Sequence, residues 1–137
     1  MTPLELVNLA IEAREHSYCP YSNFAVGAAL LTKDGKVYQG CNIENSAFGP
    51  TNCAERTAFF TAVYQGEREF EAIAVVGGKA SEPIKDLCAP CGVCRQVMRE
   101  FCKNDFKIYL SKGDGTVLET TLIEMLPYSF GKEDLLK

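Results

Sequence analysis

Two short segments that contain thiols carry residue types suited to metal-assisted hydrolysis. The first segment is Cys53-Ala-Glu-Arg56 and the second is Pro90-Cys-Gly-Val-Cys94. Their three cysteines supply three of the four ligands of a zinc tetrahedron, which leaves the fourth position for water, as in catalytic zinc sites. Glu55 follows closely after the first thiol and is placed to move protons to and from that water. The spacing therefore predicts a catalytic metal centre.

The predicted ligands are Cys53, Cys91 and Cys94, which hold one zinc ion per chain. Two other ligand sets remain open from the spacing alone. Cys88 precedes Cys91 by the interval that separates Cys91 from Cys94, so four thiolates would make a closed structural site. The proline between Cys88 and Cys91 would begin a helix there, which argues against that set. Glu55 would also complete the tetrahedron, but it would then leave no position for water.

Both segments are predicted to begin helices, and a helix N-terminus lowers the pKa of a nearby thiol. Three thiolates around a zinc ion leave the site with a net negative charge. Arg56 follows Cys53 by three positions, so we expect its guanidinium to reach that sulfur and offset the charge. Glu55 can share the site only if the metal lies against the end of the helix, where first-turn side chains spread around the axis.

Capping residues and hydrophobic periodicity predict three helices. The first begins at Thr2-Pro3, the second extends from about Cys53 towards Gln65, and the third from Pro90 to about Phe101. The predicted apolar face of the first helix consists of Leu4, Val7, Ala10 and Ile11.

Alternating or continuous apolar runs predict five strands. The run Ala72–Val76, closed by Gly77-Gly78, is typical of a buried, parallel strand. The other four strands are predicted as two pairs, Phe24–Thr32 with Val37–Cys41 and Phe106–Leu110 with Val117–Thr121, each joined by a glycine-containing turn. The element order αββαβαββ predicts the α/β class, with helices on the faces of a five-stranded mixed sheet.

Composition limits the classes of partner. The chain has 137 residues, 47% hydrophobic and 23% charged, with a formal net charge of −4 and no basic stripe. We therefore expect a small-molecule substrate, no nucleic acid partner and no membrane association. Seven cysteines without a leader segment favour metal ligation in a cytoplasmic protein over a disulfide framework.

The two thiol segments resemble those of the zinc-dependent nucleoside deaminases, in which His/Cys-x-Glu is followed by Pro-Cys-x-x-Cys. Three further segments resemble the small homotetrameric zinc-dependent cytidine deaminases: Tyr21-Ser-Asn-Phe-Ala-Val-Gly-Ala-Ala-Leu30, Asn42-Ile-Glu-Asn45 and Leu126-Pro-Tyr-Ser-Phe130. The resemblance spans most of the chain. It implies the three-layer α-β-α sandwich of that family, formed by a single domain over residues 1–137.

The resemblance also implies an activity and a set of contacts. The activity is hydrolytic deamination of cytidine and 2′-deoxycytidine to uridine and 2′-deoxyuridine in pyrimidine salvage, with Glu55 carrying a proton to N3 and then to the departing ammonia. The implied substrate contacts are Phe24 beside the base, the Ala54 backbone on the pyrimidine, Asn42 and Glu44 on the ribose, and Phe48 and Phe130 from neighbouring subunits of a homotetramer.

Two kinds of alternative remain open. One is another deaminase on the same scaffold, such as a blasticidin-type, guanine, deoxycytidylate or tRNA-editing enzyme. The pair Asn42 and Glu44, together with Arg56, favours free cytidine, and the acidic net charge disfavours tRNA. The other alternative is a zinc-stabilised binding module without turnover.

Overall fold

The computed structural model of the chain describes residues 1–136 and contains one five-stranded sheet flanked by helices. The helices in chain order are α1 Pro3–Arg14, α2 Ala54–Tyr64, α3 Gly92–Phe101, α4 Leu122–Met125 and α5 Lys132–Leu135. The strands are β1 Phe24–Thr32, β2 Val37–Cys41, β3 Phe70–Lys79, β4 Lys107–Leu110 and β5 Leu118–Thr121. Among the described helices, none is long and apolar enough to cross a membrane.

The sheet is mixed, in the order β2-β1-β3-β4-β5. Only β3 and β4 pair in parallel, and the other neighbours are antiparallel. The prediction of a parallel central strand is therefore correct on one edge of β3 only. The prediction that Gly77-Gly78 closes this strand is wrong, because both glycines continue the ladder opposite Val26 and Ala25 of β1.

Side chains of alternate strand residues point to two separate cores, which produces the three layers. On one face, Leu30, Ile73 and Ile108 pack with residues of α2 and α3. On the other face, Ala29 and Val76 pack with residues of α1. The predicted α-β-α sandwich with a five-stranded mixed sheet is confirmed.

The predicted apolar face of α1 needs correction. Leu4 is 40% exposed, and Ile11 is only partly buried. The buried stripe instead includes Leu6, Val7 and Ala10. This stripe is the side of α1 that lies on the sheet. Gly27 of β1 allows that side to approach the sheet closely.

Two glycines allow helices to lie directly on the sheet backbone. A Cβ atom on Gly27 of β1 would come within 2.0 Å of the Ala10 carbonyl oxygen in α1. A Cβ atom on Gly40 of β2 would come within 2.4 Å of the Ala54 carbonyl oxygen, at the first residue of α2. Gly40 therefore fixes the N-terminal turn of α2, where the thiol and carboxylate chemistry was predicted.

The third predicted helix begins two residues later than expected. Pro90 is fully buried before α3, and Cys91 is the N-cap residue. The carbonyl oxygen of Pro90 accepts a hydrogen bond from Arg95 Nε at 2.7 Å, which holds the chain just ahead of the helix. The short helices α4 and α5 were not predicted, because each has only four residues and shows too little periodicity.

Candidate active site

The N-termini of α2 and α3 bring three thiols together. Cys53 and Cys91 are the N-cap residues of the two helices, and Cys94 lies in the first turn of α3. The three sulfur atoms all lie within 4.8 Å of one another. The distance from Cys53 Sγ to Cys91 Sγ is 3.8 Å, and from Cys91 Sγ to Cys94 Sγ it is 3.5 Å.

These separations fit a tetrahedral metal. With Zn–S bonds of about 2.3 Å, two thiolates of a zinc tetrahedron lie about 3.8 Å apart. In residues 1–136, the group contains neither Cys88 nor Glu55, so the two alternative ligand sets are not assembled. The donor set of three sulfurs with one free position therefore fits zinc at a catalytic site.

The charges around the thiols favour a thiolate on Cys53. Its hydrogen bond with Cys94 lowers the pKa of Cys53 to about 5, and the guanidinium of Arg56 acts in the same direction. The same hydrogen bond raises the pKa of Cys94. Arg56 Nη2 donates to Cys53 Sγ at 3.2 Å, as the three-residue spacing predicted.

Glu55 is a buried carboxylate next to this cluster. It is 4% exposed, and burial raises its pKa to about 7, with the negative charge of Cys53 acting in the same direction. A carboxyl group whose pKa lies near neutral pH both accepts and releases protons at that pH, which suits general acid–base catalysis. Glu55 and Cys53 therefore lie together at the N-terminal end of α2.

Cys88 is a neighbouring thiol outside the three-sulfur group. Burial, together with the charges of Glu55 and Cys53, raises its pKa to about 11. A Cβ atom on Gly77 would come within 2.8 Å of the Cys88 sulfur, so this thiol packs against the end of β3.

The polar residues predicted to hold ribose are fixed by the chain before and within β1. Asn42 Oδ1 accepts from the Val26 amide at 2.9 Å, and Asn42 Nδ2 donates to the Phe24 carbonyl at 2.7 Å. One donor and one acceptor position of this amide remain for a ligand. Ala54 is fully buried at the first residue of α2.

The Glu44 carboxylate accepts hydrogen bonds from the amides of Tyr21 and Ser22 at 3.0 and 3.1 Å, and from the Ser22 hydroxyl. The Ser22 contact lowers the pKa of Glu44, so the side chain stays ionised at neutral pH. Sequence reasoning assigned no role to Ser22, although it lies within the segment that resembled the family. The feature of the sequence that could have indicated Ser22 is its position two residues before Phe24. The Phe24 amide donates to the Ser22 hydroxyl oxygen at 3.0 Å.

The three aromatic residues predicted to contact substrate are exposed. Phe24 is 42% exposed, Phe48 71% and Phe130 57%. Phe48 has φ 55°, in the left-handed region that a bulky residue rarely adopts, and its ring contacts Tyr21 edge-to-face at 6.3 Å. Such strain at an exposed aromatic side chain is more common at binding sites than in packing regions.

Comparison with known proteins agrees with this geometry. The family model of the cytidine and deoxycytidylate deaminase zinc-binding region matches residues 2–110. The chain belongs to this deaminase family. Its zinc-binding region includes the α2 and α3 N-termini, so the three thiols lie in the part of the chain that the family model covers.

Three similar deaminases cover nearly the whole chain. A cytidine deaminase from Sporosarcina psychrophila is 53% identical over 131 residues, which are 96% of this chain and 93% of the relative. The crystal structure of cytidine deaminase from Burkholderia pseudomallei has a TM-score of 0.86 and 50% identity, covering 95% of this chain and 100% of that chain. A blasticidin-S deaminase from Bacillus cereus is 31% identical over 130 residues, 93% of this chain and 91% of the relative.

Proposed function

We propose that this chain hydrolyses cytidine and 2′-deoxycytidine to uridine and 2′-deoxyuridine and releases ammonia. The observation that carries the proposal is the buried Glu55 carboxylate beside three thiols arranged for one metal. The similarity to cytidine deaminases at 53% identity, against 31% to a blasticidin-S deaminase, supports the pyrimidine nucleoside over the blasticidin-type alternative.

Cys53, Cys91 and Cys94 would hold the zinc ion through their thiolates. A bound zinc ion would supply a Lewis acid that makes a water molecule nucleophilic at neutral pH. The helix N-termini at Cys53 and Cys91 stabilise the thiolates, and Arg56 offsets part of their charge through its hydrogen bond to Cys53.

Glu55 would take the proton of the attacking water and deliver it to N3 of the cytosine ring. A second transfer through Glu55 would give the remaining proton to the departing amino group, which leaves as ammonia while C4 becomes a carbonyl. A pKa near 7 lets Glu55 both accept and release a proton at neutral pH. The burial of Glu55 excludes bulk water as a competing proton donor.

The nucleoside would be held by residues around the α2 N-terminus. The first-turn amides of α2, including that of Ala54, lack helical acceptors and can donate to the pyrimidine. The free hydrogen-bonding positions of Asn42 and Glu44 suit ribose hydroxyls, which both donate and accept. Phe24, at the start of β1, would pack beside the base.

We further propose that the active form is a homotetramer whose sites receive Phe48 and Phe130 from adjacent chains. The support is that both rings are exposed in the single chain, although a ligand pocket should bury most of a nucleoside. We place this single-domain protein, residues 1–137, in the reducing cytoplasm, because the three ligand cysteines must stay reduced. The net charge of −4 supports a free nucleoside over a nucleic acid.

The function is tested by incubating the zinc-loaded protein with cytidine and measuring ammonia and uridine together. Equal amounts of both products are expected, with less turnover of blasticidin S. A protein that binds zinc and releases no ammonia from any nucleoside would instead be a zinc-stabilised binding module.

Subunit sharing is tested by mixing Glu55→Gln chains with Phe130→Ala chains after unfolding and refolding them together. Each variant alone should be nearly inactive at low substrate concentration. If the chains mix at random, about a quarter of the sites regain both an intact Glu55 and an intact neighbouring Phe130. Sedimentation verifies that mixed tetramers form. Absence of recovery in such tetramers, or a fully active monomer, contradicts shared sites.

A further inference from the structure

Side chains of α3 hold the 129–133 segment, which follows α4, on both sides of Phe130. Gln96 Nε2 donates to the Phe130 carbonyl oxygen at 2.9 Å, and Arg99 Nε donates to Ser129 Oγ at 2.8 Å. Arg99 also pairs with Glu133, with Nη2 and Oε2 2.9 Å apart. Because these contacts flank Phe130 in sequence, they leave its backbone little freedom to move.

Gly131 completes this arrangement by making room for the guanidinium. A Cβ atom at this position would lie 2.5 Å from Arg99 Cζ and 2.7 Å from each terminal nitrogen, which places it over the guanidinium plane. Gly131 has φ −144°, a conformation that alanine adopts readily. A side chain at position 131 is therefore excluded by the arginine and not by the backbone.

The hydrogen bonds that restrain the backbone do not bury the Phe130 ring within its own chain, because Phe130 remains 57% exposed. Fixing the backbone of a residue in one conformation carries an entropic penalty, which is recovered only if the ordered group makes a contact. The helix that supplies Gln96 and Arg99 also carries the predicted ligand Cys94. The predicted metal site and the 129–133 segment are thus attached to the same helix.

We propose that Arg99, assisted by Gln96, is a positioning residue for catalysis. It holds the 129–133 backbone so that Phe130 enters the nucleoside site of an adjacent chain without further ordering. Arg99 does not itself touch the substrate. This inference rests on the proposed function, specifically on the contribution of Phe130 to a neighbouring site.

The test is the steady-state kinetics of cytidine deamination by Arg99→Ala. We expect about a tenfold higher KM, the order of effect for a backbone that must be ordered on binding. The kcat, the zinc content and the sedimentation of the protein should stay as in the wild type. Gly131→Ala should raise KM similarly, since it displaces the guanidinium without removing its charge.

Arg68→Ala is the matched control. Arg68 Nη1 donates to the main-chain oxygens of Val63 and Glu67 at 3.0 and 2.8 Å, and Arg68 lies after the C-terminal end of α2. Its replacement removes an arginine and two hydrogen bonds that do not involve the 129–133 segment, and it should leave KM unchanged. An equal rise in KM in Arg68→Ala would overturn the inference.

Phe130→Ala and the double variant with Arg99→Ala separate this inference from the proposed function. If Arg99 acts through Phe130, the double variant has the KM of Phe130→Ala alone. A raised KM in Phe130→Ala with wild-type KM in both Arg99→Ala and Gly131→Ala overturns the inference alone. A wild-type KM in Phe130→Ala overturns the proposed role of Phe130 as well. Dissociation of Arg99→Ala into monomers would show a structural role and overturn the positioning role.

Discussion

Replacement of Arg56 by glutamine should weaken zinc binding without unfolding the protein. Arg56 Nη2 donates to Cys53 Sγ at 3.2 Å, and it supplies the positive charge nearest to that thiolate. Glutamine retains an amide donor but removes the charge. The mutual repulsion of the three thiolates around the metal would then no longer be offset by Arg56.

The expected change in zinc affinity follows from the hydrogen bond between Arg56 and Cys53. A hydrogen bond to a charged group contributes roughly 1.5–3 kcal/mol, and loss of a partner that orients a metal ligand typically reduces affinity about 10- to 100-fold. Arg56 is only partly buried, which places the effect towards the lower part of that range. We therefore expect the Kd for zinc to rise about 10- to 30-fold.

The assay is competition for zinc against a chromophoric chelator of known affinity, at fixed pH. Arg68→Gln is the control, since it removes an arginine that donates to the main-chain oxygens of Val63 and Glu67, at the other end of α2 from Cys53. Circular dichroism establishes that both variants are folded. A Kd for zinc in Arg56→Gln equal to that of the wild type would refute the proposed charge compensation.

Two further predictions concern neighbouring side chains. Cys88→Ala should leave about one zinc per chain and near-normal activity, as measured by metal analysis and ammonia release; loss of the metal would instead support the four-thiolate site. The Glu44 carboxylate stabilises the fold at neutral pH, because its folded pKa lies below its ordinary value of 4.5, and this contribution disappears as the pH falls through the folded pKa. Urea unfolding should show that lowering the pH from neutral to acidic reduces the free energy of unfolding less in Glu44→Gln than in the wild type. Equal reductions would contradict a stabilising role of the Glu44 carboxylate.

The cysteine and arginine spacing was sufficient to predict the centre of the site. The i,i+3 spacing at the start of a helix brings Arg56 close to Cys53, and this proximity does not depend on the tertiary fold. The β1–β2 hairpin was likewise predicted with its observed bounds, because its strands are adjacent and its turn residues are specific.

Features that depend on distant segments were not predicted. The hydrogen bonds of Asn42 to β1 and of Gln96 and Arg99 to the 129–133 segment join residues 16 to 34 positions apart. No local pattern marks such pairs, since glutamine and arginine are common residues in helices. The start of α3 was placed too early for a related reason: burial of Pro90 and its contact with Arg95 override the usual preference of proline for the first helical turn.

The most direct test of the account is the zinc content and turnover of Glu55→Gln beside the wild type. The amide preserves the shape of the side chain and removes its ability to carry a proton. The account predicts about one zinc per chain in both proteins and a kcat for cytidine about 10²- to 10⁴-fold lower in the variant. A variant with bound zinc and near-normal ammonia release would show that Glu55 is not the proton carrier.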